Sequence, residues 1–267
     1  MCLILFAYDI HPQYRLLLAA NRDEFYERPT LPLDVWEDRP DIFAGRDLKG
    51  GGTWLGISRS GRIAAVTNYR DPRRVLPQAP SRGFLVGDYL AGSEPAERYL
   101  SRIASEAHRY NGFNLIVGDR GGLWYLSNQS AEILHIEPGV YGLSNHLLNT
   151  SWPKVRNGKA GLQKLIEEGQ AGRIEPMLAL LADKTPAADN ALPDTGVGLQ
   201  WERVLSPIFI TSATYGTRSS SVIQVSRNGK VTFVERSFTC QSGETCRSED
   251  RRFSFSLTSG PCENGRN

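Results

Sequence analysis

Two apolar runs open the chain, residues 2–8 (CLILFAY) and 15–20 (RLLLAA), separated by the turn-forming DIHPQ. Short apolar runs bounded by Asp and Pro predict a β-hairpin. Their apolarity is continuous rather than alternating, so both strands are expected to be covered on both faces. NRDE (21–24) and a proline-bearing stretch to about residue 47 carry neither period and are read as loop. TWLGIS (53–58) and IAAVT (63–67), joined by RSGR, predict a second hairpin that ends at Asn68.

The period then changes. Residues 83–90 and 95–109 read as helices, the second with Tyr99, Leu100, Ile103, Ala104 and Ala107 on one face. Strands return over 113–118, 123–128 and 133–136, and GLSN (142–145) closes that block. A second helical pair is predicted over 153–168 and 174–182, followed by a Pro-, Ala- and Asp-rich loop over 185–198. Three last strands are expected over 207–211, 220–226 and 230–238, the final two joined by the Asn-Gly turn in RNG. Strands and helices alternate in blocks dominated by hairpins, which predicts an α+β fold with mostly antiparallel sheets. No repeat or composition break is visible, so residues 1–238 are read as a single domain. Residues 239–267 are read as a polar extension whose last residues are mobile.

Composition narrows the class. With 267 residues, 40% hydrophobic and 22% charged, the chain reads as an ordinary globular protein. A net charge of +2 gives no reason to expect nucleic acid as a partner. No run approaches the ~18 apolar residues of a membrane span. The first run is too short for a secretory signal and is followed by Asp9, so a cytoplasmic location is expected. The cysteines are Cys2, Cys240, Cys246 and Cys262. A Cys240–Cys246 disulfide remains open without a secretory context to favour it. Nothing has the spacing of a zinc site. The histidines (His11, His108, His135, His146) are scattered and read as surface or loop residues.

The candidate chemistry starts at Cys2. Removal of Met1 gives this residue a free α-amine, a base with a reference pKa near 8, beside a nucleophilic thiol. Alone, a cysteine opening a buried strand is better read as a small hydrophobe. Its neighbours change that weighting. A tight hairpin sets the end of its second strand beside the start of its first, which brings Asn21, Arg22, Asp23 and Glu24 to Cys2. Arg22 can lower the thiol pKa and Asp23 can hold the amine. Asn68 and Asn145 each end an apolar strand and can offer an amide to an oxyanion. Asn21, Glu24, Trp54, Arg70 and Arg218 are candidate substrate contacts. Arg70, with Arg73 and Arg74, can form a basic rim, and Arg218 stands among hydroxyl residues in YGTRSSS. KGGGT (49–53) reverses the Lys–Gly order of a phosphate loop, so nucleotide binding is not expected.

The opening MCLILFAYDIHPQYRLLLAANRDEFYERPT, followed in order by GGTWLGIS, TNYRDP, GLSN and TYGTRSSS, closely resembles the NRDE family, which includes the animal transport and Golgi organisation 2 proteins. The resemblance runs from Met1 to about Phe238. It implies kinship with the N-terminal nucleophile hydrolases and hence a four-layer αββα sandwich. It also implies that Cys2, Arg22, Asp23, Asn68 and Asn145 stand where cysteine members cleaving non-peptide amides keep their catalytic groups. Two features depart from those hydrolases: Arg22 and Asp23 are adjacent, and Arg218 precedes its serines instead of following them. Animal members are associated with haem handling, lipid or acyl-CoA metabolism and secretory organisation.

The first reading is therefore an N-terminal-cysteine amidohydrolase or acyltransferase acting on a non-peptide amide or thioester, with no required cofactor. The alternative is a non-catalytic carrier of haem or an acyl lipid in the same cleft, with Cys2 as a haem contact. A purely structural interaction protein leaves the polar strand-end cluster unexplained.

Overall fold

The computed structural model describes residues 2–130, 132–241 and 245–258. One six-stranded sheet contains β1 (Cys2–Tyr8), β2 (Tyr14–Phe25), β10 (Gly139–Leu143), β11 (Tyr215–Ser226), β12 (Lys230–Gln241) and β13 (Thr245–Ser256), in the order β10-β1-β2-β11-β12-β13. The second sheet has seven strands in sequence order: β3 (Thr30–Trp36), β4 (Arg39–Asp47), β5 (Leu55–Ser58), β6 (Ile63–Asn68), β7 (Phe113–Asp119), β8 (Gly122–Ser127) and β9 (Ile133–His135). Every strand pair is antiparallel. The helices are α1 (Gly83–Ala91), α2 (Ala96–Glu106), α3 (Pro153–Glu167), α4 (Ile174–Leu181) and the short α5 (Leu199–Val204).

The layers follow from side-chain alternation. In β1 and β2, Ile4, Phe6, Leu16, Leu18 and Ala20 enter the core between the sheets, against Phe43, Leu55 and Ile57. Their neighbours Leu3, Leu5, Ala7, Leu17 and Ala19 point the other way, onto Val155 and Leu162 of α3 and Met177 and Leu178 of α4. Helices α1 and α2 cover the second sheet through Leu85, Val86, Tyr89, Leu100 and Ile103. Strands buried on both faces need both residue parities apolar, which is why the opening runs do not alternate. The result is the expected α+β sandwich in four layers, αββα.

Several elements differ from expectation. The segment read as loop from 21 to 47 is strand for most of its length: NRDE lies inside β2, and β3 and β4 follow. There the apolar residues are spaced irregularly because bulges interrupt the β3–β4 register. Pro32 is compatible with β3, which is an edge strand and has no ladder partner on one side. Residues 207–211 form no strand; Ile208, Phe209 and Ile210 are buried, with one isolated bridge from Thr211 to Gly216. Beyond 238 the chain continues into β13, whose Phe255 stacks on Phe43 at 4.1 Å. Cys240 and Cys246 are register partners there, while Cys262 and the last residues lie outside the described residues. Strand β10 and helix α5 were not anticipated. Among the described residues no helix is long and apolar enough to cross a membrane.

Candidate active site

The β1–β2 register sets Cys2 directly opposite Arg22, as a tight hairpin requires. The row continues through Ser219 of β11 to Ser237 of β12. Cys2, Arg22 and Ser219 border a cleft of ≈ 1390 Å³, together with Asp23, Glu24, Trp54, Asn68, Arg82, Arg218 and Glu235. Cys2 is only 8% exposed, at the start of its strand and the end of the hairpin away from the turn.

Adjacent residues of a strand face opposite ways, and this separates Arg22 from Asp23. Arg22 shares the Cys2 side and lies 3.7 Å from the Asp47 carboxylate, which also receives Arg28 at 2.8 Å. The Asp23 carboxylate accepts from Thr217 Oγ1 at 2.7 Å, and its carbonyl accepts from Tyr215 Oη at 2.9 Å. Thr217 Oγ1 is itself fixed by the Ile210 amide. Burial raises the Asp23 pKa, and Lys154, Thr217 and Arg70 oppose the shift. Burial also pushes the Cys2 thiol up, while the Arg22 guanidinium and the Asp23 main-chain amide pull it down. The resting thiol therefore keeps its proton until a base takes it.

The two asparagines do different things. Asn68 ends β6 at the cleft. Asn145 is fully buried, and its Nδ2 donates to the Asn68 carbonyl at 2.9 Å. Ser144 Oγ donates to the Cys2 carbonyl at 3.0 Å, so the GLSN segment clamps both β1 and β6. Asn145 does not border the cleft; it fixes the backbone of the residue that does.

Two of the substrate-contact expectations need correcting. Asn21 has the Asp23 parity, is fully buried and donates to the Leu181 and Ile208 carbonyls at 2.9 Å each, fastening the helix layer to β2. Arg70 is not at a rim: it is buried, donating to Glu202 Oε2 at 2.6 Å and lying over the Trp152 ring at 4.8 Å. Arg73 and Arg74 are exposed and paired with Asp71. Arg218 borders the cleft, but its Nη1 donates to the Phe25 and Arg28 carbonyls and so pins the β2–β3 turn. Glu24 and Trp54 border the cleft.

Sequence reasoning missed Arg82, Glu235 and Lys154. Glu235 is buried in the cleft wall and accepts from the Leu33 amide at 2.7 Å. Its signal, an acid inside the apolar strand VTFVE, is visible only once the strand is known to be internal. Lys154 is 3% exposed in the first turn of α3, with no hydrogen-bond partner for Nζ among the described residues. Its signal was an inward position, one turn before Gly158 and two before Leu162 on the buried face.

A family profile described as Transport and Golgi organisation 2 matches residues 1–240. The Transport and Golgi organization 2 homolog of Mus musculus is 39% identical over 279 residues, covering 97% of this chain and 100% of that protein. The Homo sapiens homolog is 38% identical, with the same coverage. The Drosophila melanogaster protein is 29% identical over 266 residues, covering 90% and 93%. Among solved structures, the Caenorhabditis elegans N-acylethanolamine-hydrolyzing acid amidase ortholog superposes with a TM-score of 0.50 at 12% identity, over 83% of this chain and 92% of that one. That likeness concerns the fold alone. A profile spanning nearly the whole chain, and relatives matched end to end, mean that this chain belongs to the Transport and Golgi organisation 2 family.

Proposed function

We propose that the protein is an N-terminal-cysteine hydrolase or acyltransferase acting on a non-peptide amide or a thioester. The observation that carries this reading is the placement of Cys2 opposite Arg22 at the cleft, with Asp23 next to Arg22 on the far side of the same strand. With Met1 removed, the Cys2 amine takes the thiol proton and Sγ attacks the substrate carbonyl. The oxyanion forms beside the Asn68 amide, whose backbone Asn145 holds. The ammonium then returns its proton to the departing nitrogen or sulfur, leaving a thioester on Cys2. Water, or another acceptor, attacks that thioester and restores the thiol. Arg22 favours the thiolate, and Asp23 orients the amine.

The cleft wall supports a polar substrate. Arg22, Arg28, Arg46, Arg82 and Arg218 face Glu24, Asp47 and Glu235 around it. A haem carrier finds less support there. Apolar residues border the cleft too, among them Leu31, Trp54 and Val66, but no histidine does among the described residues, so a haem there would rely on the Cys2 thiolate.

Intact mass of untagged protein, before and after treatment with iodoacetamide, tests the reading. It is upheld by a mass lacking Met1 and rapid alkylation mapped to Cys2, followed by turnover in a panel of acyl amides and thioesters. Retained Met1 with an inert Cys2 overturns it.

A further inference from the structure

Lys154 is a charged side chain that the mechanism above leaves unused. Helix α3 lies along β1: a Cβ at Gly158 would meet the Leu5 side chain at 2.7 Å, and one at Gly142 of β10 would meet Val155 at 2.8 Å. The start of α3 lies at the Cys2 end of β1: Arg70 lies over the Trp152 ring at 4.8 Å, the Arg70 amide donates to the Asn145 carbonyl, and the adjacent Ser144 Oγ donates to the Cys2 carbonyl. Lys154, two residues after Trp152, therefore stands near that end. Its Nζ is buried without a hydrogen-bond partner among the described residues, a costly arrangement unless nearby charges compensate. Those charges come from every element packed around it. Asp23 comes from β2, Cys2 from β1, Arg70 from the loop after β6, and Glu202 from α5. Tyr215 of β11 and Arg22 of β2 complete the surroundings of Asp23 and Cys2.

We propose that Lys154 is a positioning residue for the Cys2 nucleophile, its buried ammonium keeping Asp23 a carboxylate and repelling a proton from the neighbouring Cys2 amine. This rests on the reading of Cys2 as an N-terminal nucleophile. Asp23 alone would hold the amine as an ammonium, which cannot act as a base. A second cation near the same carboxylate weakens that hold, so the amine is free to take the thiol proton. Amine and thiol are close enough to titrate as a pair, and a nearby positive charge lowers both steps. Burial brings the Lys154 pKa down to about 8, with Asp23 opposing the shift, so the charge is present at neutral pH and is lost as pH rises through that value.

The test follows the rate of Cys2 alkylation by iodoacetamide against pH, with the site read by peptide mass and Met1 removal confirmed by intact mass. Wild type, Lys154→Met and Lys154→Arg are compared. In Lys154→Met the midpoint of the rate profile is expected to rise by about one pH unit. In Lys154→Arg, which keeps its charge at every pH, it is expected at or below the wild-type midpoint. A merely structural lysine would change amplitude or thermal stability and leave the midpoint in place. A reactive wild type with the same midpoint in Lys154→Met overturns the inference and spares the nucleophile reading. Should Lys154→Met not fold, a Lys154→Arg midpoint well above wild type overturns the inference equally. An inert wild-type Cys2 overturns both.

Discussion

The Asn145 side-chain amide donates to the Asn68 main-chain carbonyl at 2.9 Å, so the two asparagines form one device in which the second holds the first. Asn68→Ala should leave folding nearly unchanged, because its side chain is at the cleft. Asn145→Ala should cost about 1–3 kcal/mol, the range for leaving buried polar groups unsatisfied. Urea denaturation of the two variants separates these roles; equal losses would contradict the division.

Glu202 is buried against Arg70, accepting from Nη1 at 2.6 Å and from the Thr195 amide and hydroxyl at 2.9 and 2.5 Å. Removing one member of a buried ion pair costs about 3–5 kcal/mol. Glu202→Ala should therefore be among the most destabilising single changes in the chain, and thermal unfolding will show it. Arg73→Ala, on the exposed side of the same loop, should shift stability by under about 0.5 kcal/mol.

Gly52 packs on the start of α1, where a Cβ would lie 2.2 Å from the Gly83 carbonyl carbon. Both partners are backbone, so neither yields easily. Gly52→Ala should destabilise by about 1–3 kcal/mol or more and loosen the 49–53 loop over the cleft. Gly169→Ala provides the contrast: nothing lies within 4 Å of its Cβ position, and only its φ of +67° opposes the change. Urea midpoints of the two variants measure the difference.

Burial raises the Glu235 pKa despite hydrogen bonds from Leu33 and Ser237. The folded state then holds a proton that the unfolded state has already released. Stability from this group is full below the ordinary glutamate pKa and falls as pH rises through the folded value. Glu235→Gln keeps an acceptor for the Leu33 amide without the buried charge. It should be more stable than wild type at neutral pH, with the difference closing below about pH 4. Chemical denaturation at the two pH values tests the sign.

Legibility in the sequence followed burial. The central strands β1 and β2 were plain because both of their faces are covered, and the hairpin register carried Arg22 to Cys2 without further information. Edge strands were not plain. β3 has bulges and a proline, and β13 follows a polar stretch, so neither shows a clean period. Roles within the site were less legible than positions. Asn21 and Arg70 have the residue types of substrate contacts, but strand parity and the α5 carboxylate turn both inward. Lys154 was hidden by the habit of reading lysine as surface; only the packing of α3 on β1 shows that its inward position is occupied.

The alternation of β2 has a consequence for ionic strength. Glu24, which has the Arg22 parity, is partly exposed at the cleft, whereas the carboxylate of Asp23 and the ammonium of Lys154 are buried in protein. Mobile ions screen exposed charges over about 10 Å at 0.1 M salt and reach buried pairs far less. Salt should therefore weaken the capture of a charged ligand in the cleft while leaving the proton affinity of the Cys2 amine almost untouched.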